Sequence, residues 1–318
     1  MNNQAILKYN EPWIMQRADP YVLKHTDGYY YFTASVPAYD RIIIRRATTL
    51  AELKEASEHT IWVKHEKGSM GSHIWAPEIH YINNCWYIYF AAGDAEDVWR
   101  IRPYILTCND EDPLTGHWEE LGMMQGADGD PFSFEGFSLD ATVFEHKEEL
   151  YFVWAEKVGV KSQVSNLYIA KMEHPWKLKT TQVLLTTPDY EWERVGFWVN
   201  EGPFVIKREN KIFLTFSASA TGTCYCIGML EADCNLDLLD PSSWTKYKEP
   251  VLQSEPSKKI FGPGHNCFTQ DEEGNDIMVY HARVTDQITG DPLKDPNRHT
   301  MFMKIKWDKK NKPIFNIK

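Results

Sequence analysis

The stretch "DPYVLKHTDGYYYFTAS", residues 19–35, reads as two short strands joined by a turn that contains Gly28. Its second half is almost wholly aromatic and β-branched, the composition of a strand packed on a pleated surface. The same design recurs four times. "APEI" at 76–79 precedes "CWYIYFAA" at 85–92, and "DATV" at 140–143 precedes "ELYFVWAE" at 149–156. "GPFV" at 202–205 precedes "KIFLTFSA" at 211–218, and "HNCF" at 265–268 precedes "DIMVYHAR" at 276–283. The phrases begin at 19, 76, 140, 202 and 265, at intervals of 57, 64, 62 and 63.

A third strand follows each pair: "RIIIRRAT", "RPYILTC", "NLYIAKM", "YCIGMLE" and "TMFMKIK". Fourth strands are weaker, with "TQVLLTT" and "YKEPVLQ" as the clearest. One segment, "LAELKEASE" at 50–58, has the pattern of a helix. Five repeats of small antiparallel sheets predict an all-β fold, a five-bladed β-propeller with four-stranded antiparallel blades. No blade buries both faces alone, so residues 1–318 are expected to form a single domain. "KYNEPWI" at 8–14 resembles "KYKEPVL" at 246–252, an outer strand of the fourth repeat. Residues 6–14 are therefore expected to complete the last blade, with "PIFNIK" at the carboxy end as the competing segment.

Composition narrows the function. The 318 residues carry 34 Lys and Arg against 45 Asp and Glu, a net charge of −11. Such a surface repels phosphate backbones, so no nucleic-acid partner is expected. No apolar run is long enough for a membrane span. "MNNQAILKYNEPW" lacks the charged and apolar pattern of a leader, and six scattered cysteines read as reduced thiols. Together they predict a cytoplasmic location. Cys224 and Cys226 share a strand face, which packing explains more simply than a metal pair. "GPGHNC" at 262–267 lacks the third glycine and the following helix of a nucleotide loop, and "ADGD" at 127–130 reads as a solvated loop.

The first strand of a propeller blade lines the central axis. The equivalent position in the five repeats holds Asp19, Ala76, Asp140, Gly202 and His265, with Glu78 and Glu201 close by. A carboxylate at a strand start is often a turn cap, yet two at matched positions and Glu201 beside a third point to a shared site. Arg17, two residues before Asp19, falls on the same strand face and would keep it ionised, as a general base requires. Glu201 lies among Trp198, Val199 and Phe204, apolar neighbours that raise a carboxyl pKa and suit a general acid. Asp140 would then hold that proton in place. Paired acid and base carboxylates are the equipment of glycoside hydrolysis. Trp75, Phe137 and Trp198 lie beside these phrases and are candidates to stack on sugar rings, with core filling as the alternative for each.

The set "RADPYV", "IWAPEIH", "SLDATVF", "NEGPFV" and "GPGHNCF…YHAR" resembles glycoside hydrolase family 43 across essentially the whole chain. The resemblance implies a five-bladed propeller and inversion of anomeric configuration. It also implies Asp19 as general base, Glu201 as general acid and Asp140 as the carboxylate that tunes the acid's pKa. It further implies an axial cation or water near His265, so that calcium is admitted but no cofactor is required. Arg283 resembles the family's substrate-orienting arginine, and Arg298 is a second candidate for substrate binding. "GFSLDATVFEH", "WVNEGPFV" and "DPNRHT" are similar to the α-L-arabinofuranosidases, including exo-acting forms on α-1,5-arabinan. The expected partners are oligosaccharides containing arabinose or xylose. β-Xylosidase activity is the nearest alternative, a sugar-binding propeller is the non-enzymatic one, and a phosphorylase is the third.

Overall fold

The computed structural model describes residues 6–159 and 164–317. It is an all-β chain whose five leading strands are Ala18–Lys24, Ser72–Ile82, Ser138–His146, Trp198–Arg208 and Phe261–Gln270. Each pairs antiparallel with the strand that follows it, and that strand with a third. The first two repeats form four-stranded sheets, and the last forms a three-stranded sheet. The third and fourth repeats merge into one sheet through a parallel pairing of Val164 with Trp198 and Ser165 with Val199. The leading strands also pack side by side in sequence order, and the fifth returns to lie against the first.

Every leading strand breaks its register at the same place. Asp19, Ala76, Asp140, Gly202 and His265 all have left-handed backbone, with φ of 51°, 47°, 52°, 54° and 43°. A residue inserted in that conformation is a β-bulge, which bends the strand and re-aims a side chain. The residue ahead of each bulge pairs across the sheet with Ser35, Ala91, Ala155, Ser217 or His281. Three of these five then reach the bulge of the next repeat around. Ser35 Oγ accepts from the Ala76 N–H (2.8 Å), Ser217 Oγ from that of His265 (2.7 Å), and His281 Nδ1 from that of Asp19 (3.0 Å). The last of these joins the final repeat to the first.

The expected helix over 50–58 is absent beyond one 3₁₀ turn, Ala51–Lys54. Arg45 explains why: its guanidinium takes the carbonyls of Leu53 and Lys54, the acceptors a continuing helix would need. The chain then enters the strand His59–Val63. At the amino end, Asn10 and Trp13 donate to the carbonyls of Phe302 and Thr300, and Ile14 bridges Thr300 on the outer side of the last sheet. At the carboxy end, Pro313–Ile314 pairs instead with Lys306–Trp307.

Candidate active site

The bulges carry Asp19, Asp140 and His265 to the wall of one cavity of about 640 Å³, where Glu201 and Arg298 join them. That volume is in the range of small-ligand sites. Trp75, Trp99, Phe137 and Phe197 form much of its apolar wall, and Asp291, Pro292 and Leu293 close another side.

Asp19 is buried and fully engaged. Its Oδ2 accepts from Ser35 Oγ at 2.6 Å, while Oδ1 lies 3.4 Å from Arg298 Nη1 and 3.4 Å from His265 Nδ1. Burial pushes its pKa up, but Arg298, His265 and His281 outweigh it and hold the carboxyl well below the ordinary range. Arg17 has no part in this. The bulge at Asp19 breaks the alternation that would put both side chains on one face. Arg17 turns instead to Glu58, with Nη2 at 2.7 and 2.8 Å from its two oxygens. Arg298 takes the role expected of Arg17, and it is fixed by a further hydrogen bond from Nη2 to Tyr39 Oη (2.7 Å).

Glu201 and Asp140 shift in the opposite direction. Burial raises Glu201, and Asp19 adds to it, against a hydrogen bond from Tyr225 Oη (2.7 Å) and the Lys157 ammonium. Asp140 is raised further by burial and by the charges of Glu201, Asp19 and Glu78, although the Gly202 N–H donates to it. Within the cavity Asp19 is therefore held low while Glu201 and Asp140 are pushed up. That separation is the physical requirement for acid and base to work side by side.

The expected sugar-binding residues divide. Trp75, Phe137 and Arg298 line the cavity. Trp198 does not: strand alternation turns Val199 and Glu201 inward and leaves Trp198 46% exposed beneath the Arg194 guanidinium. Arg283 also stands off the cavity. It is 2% exposed, pairs with Asp295 at 2.6 Å and donates to the Pro292 carbonyl at 2.7 Å, so it braces the wall from behind.

An axial cation or water is the expectation for His265. The ring nitrogen Nδ1 faces Asp19 and Asp140 at 3.4 and 3.5 Å, and burial lowers its pKa. Calcium takes six to eight oxygen ligands, and no cluster of three or more His, Cys, Asp or Glu with ligand geometry occurs among the described residues. His265 reads as a buried partner of the two aspartates. Cys224 and Cys226 are free thiols. No helix among the described residues is long and apolar enough to cross a membrane.

Ser35, Tyr225, His281 and Lys157 belong to this site and were missed in the sequence. Ser35 and His281 stand at matched positions of the second strands, so aligning those strands as closely as the leading ones would have singled them out. Lys157 stands two residues past Ala155, matched by Ser219 and Arg283, while Tyr225 lies beyond the second strands altogether.

The sequence profile described as "Glycosyl hydrolases family 43" matches residues 9–313. A Streptomyces avermitilis protein named "Extracellular exo-alpha-(1->5)-L-arabinofuranosidase" is 50% identical over 97% of this chain, which spans 63% of that protein's length. One of the same name from Streptomyces chartreusis is 49% identical over 89% of this chain and 85% of its own length. The crystal structure of an α-L-arabinofuranosidase from Lactobacillus brevis superposes with a TM-score of 0.90 at 50% identity, covering 98% of both chains. These names correct the cytoplasmic expectation, since both Streptomyces relatives are called extracellular. Free cysteines were a poor guide to compartment, because a large packed core needs no disulfides. The chain belongs to family 43 of the glycosyl hydrolases.

Proposed function

We propose that this protein is an inverting, exo-acting α-L-arabinofuranosidase on arabinan-derived oligosaccharides. One observation carries the reading: a single cavity joins Asp19, whose pKa is held low, to Glu201 and Asp140, whose pKa values are raised. Asp19 takes a proton from water as the water oxygen bonds to the anomeric carbon. The glycosidic C–O bond breaks, and Glu201 gives its proton to the departing oxygen. Asp140 tunes the proton affinity of Glu201, the role that the family resemblance implies for it. Asp19 then releases its proton to solvent and Glu201 is recharged.

The scaffold we propose is a five-bladed propeller formed as one domain, with residues 6–14 closing the last blade. The cyclic contact of the five leading strands supports it, as do the hydrogen bonds of Asn10 and Trp13 to the last sheet. The names of the relatives support arabinose over xylose.

Incubation with 4-nitrophenyl α-L-arabinofuranoside, 4-nitrophenyl β-D-xyloside and α-1,5-arabinobiose tests the proposal. The arabinosides should be cleaved and the xyloside left largely intact, with NMR showing the inverted arabinose anomer first. Glu201→Ala should slow arabinobiose about 10²–10⁴-fold, the usual contribution of a general acid, and slow the aryl glycoside less. Retention of configuration, or equal losses on both substrates, overturns the assignment.

A further inference from the structure

Lys157 ends the strand Glu149–Val158, with its side chain on the cavity wall. Among the ionisable groups around it, Asp19 is partnered by Arg298 and Ser35, Glu201 by Tyr225, and His265 by the two aspartates. The Lys157 ammonium is different. It lies 3.9 Å from the centre of the Phe137 ring, and among the described residues it makes no hydrogen bond or ion pair. An ammonium has three donors, and no described residue takes any of them. Phe137 in turn has one ring face covered by a cation and is less free to stack on a sugar.

Its neighbourhood says which part of a substrate it meets. Burial lowers the Lys157 pKa, and Glu201 is the one charge that works against this. Glu201 feels Lys157 in return. A general acid stands beside the departing oxygen, so a donor next to it faces the leaving sugar and not the sugar being cleaved off.

We infer that Lys157 is a specificity-determining residue that hydrogen-bonds hydroxyls of the leaving sugar beside Glu201. This rests on the arabinofuranosidase reading above. The same cation also steadies the Glu201 carboxylate after its proton has gone.

Kinetics of Lys157→Met and Lys157→Arg on α-1,5-arabinobiose and on 4-nitrophenyl α-L-arabinofuranoside decide the matter. A hydrogen bond to a charged group is worth about 10- to 100-fold. Lys157→Met should lose about that much kcat/KM on arabinobiose, chiefly through KM, with little loss on the aryl glycoside, whose leaving group has no sugar hydroxyls. The alkaline limb of its pH profile should move to higher pH, because the acid has lost a nearby cation. Lys157→Arg should recover part of the arabinobiose rate. Equal losses on both substrates, or none, overturn the inference. Failure of the wild type to cleave either arabinoside would refute the underlying activity instead, and that result is seen before any variant is made.

Discussion

Arg298 keeps Asp19 ionised from 279 residues away in sequence, and a pH profile would expose that dependence. Asp19's folded-state pKa is depressed, so its ionised form is present throughout the ordinary range, and its stabilising contribution is lost only as pH falls through that low value. Arg298→Met leaves burial opposed by His265, His281 and the Ser35 hydrogen bond, without the full guanidinium charge, so the pKa should rise. The acid limb of kcat/KM should then move to higher pH, while the alkaline limb, set by Glu201, stays nearer its place. Removing one partner of a buried pair also costs about 3–5 kcal/mol of stability, so urea unfolding should accompany the assay. Arg298→Lys keeps the charge and should hold more of the original limb. An unmoved acid limb in Arg298→Met would mean that the partners other than Arg298 set Asp19.

At the scale of the strand, the bulge is the device that turns a scaffold position into a site position. Four of the five bulges carry side chains in left-handed backbone, a conformation that costs a non-glycine residue roughly 1–2 kcal/mol. Gly202 is the exception for a steric reason. A Cβ there would lie 3.1 Å from His265 Nδ1 and 3.2 Å from its Cγ. Gly202→Ala should lose about 1–2 kcal/mol in chemical denaturation. It should also reduce kcat, because a shifted His265 no longer faces Asp19 and Asp140. Gly264 has a similar duty, since a Cβ there would fall 2.1 Å from the Tyr225 ring that donates to Glu201. An alanine at 202 with unchanged stability and rate would show that His265 can yield without consequence.

For the whole molecule the seam between the last and first repeats is the point of interest. Trp13 and Ile14 are buried in a core that contains Tyr21 and Phe32 of the first repeat and Val279 and Phe302 of the last. Trp13→Ala should cost about 3–5 kcal/mol, the usual figure for a large core aromatic. The midpoint of urea unfolding should fall while kcat and KM of the folded fraction stay unchanged, since Trp13 does not line the cavity. Loss of activity without loss of stability would show that the amino-terminal segment serves the site and not the seam.

Repetition made the strands and the five matched positions legible, because a sheet that packs on its like must repeat its apolar pattern. The chemical character of Asp19, Asp140 and Glu201 followed from their place in that repeat. The partners did not follow. Arg17 was the near cation in sequence and Arg298 the true one, because the left-handed turn at Asp19 breaks the alternation on which neighbour reasoning depends. Trp198 and Arg283 went astray for a related reason: one residue of register, or one ion pair to Asp295, decides whether a side chain faces the cavity or its outside. Hydrophobic pattern is local and survives in one dimension. Which charge meets which carboxylate depends on chain ends and loops brought together in three.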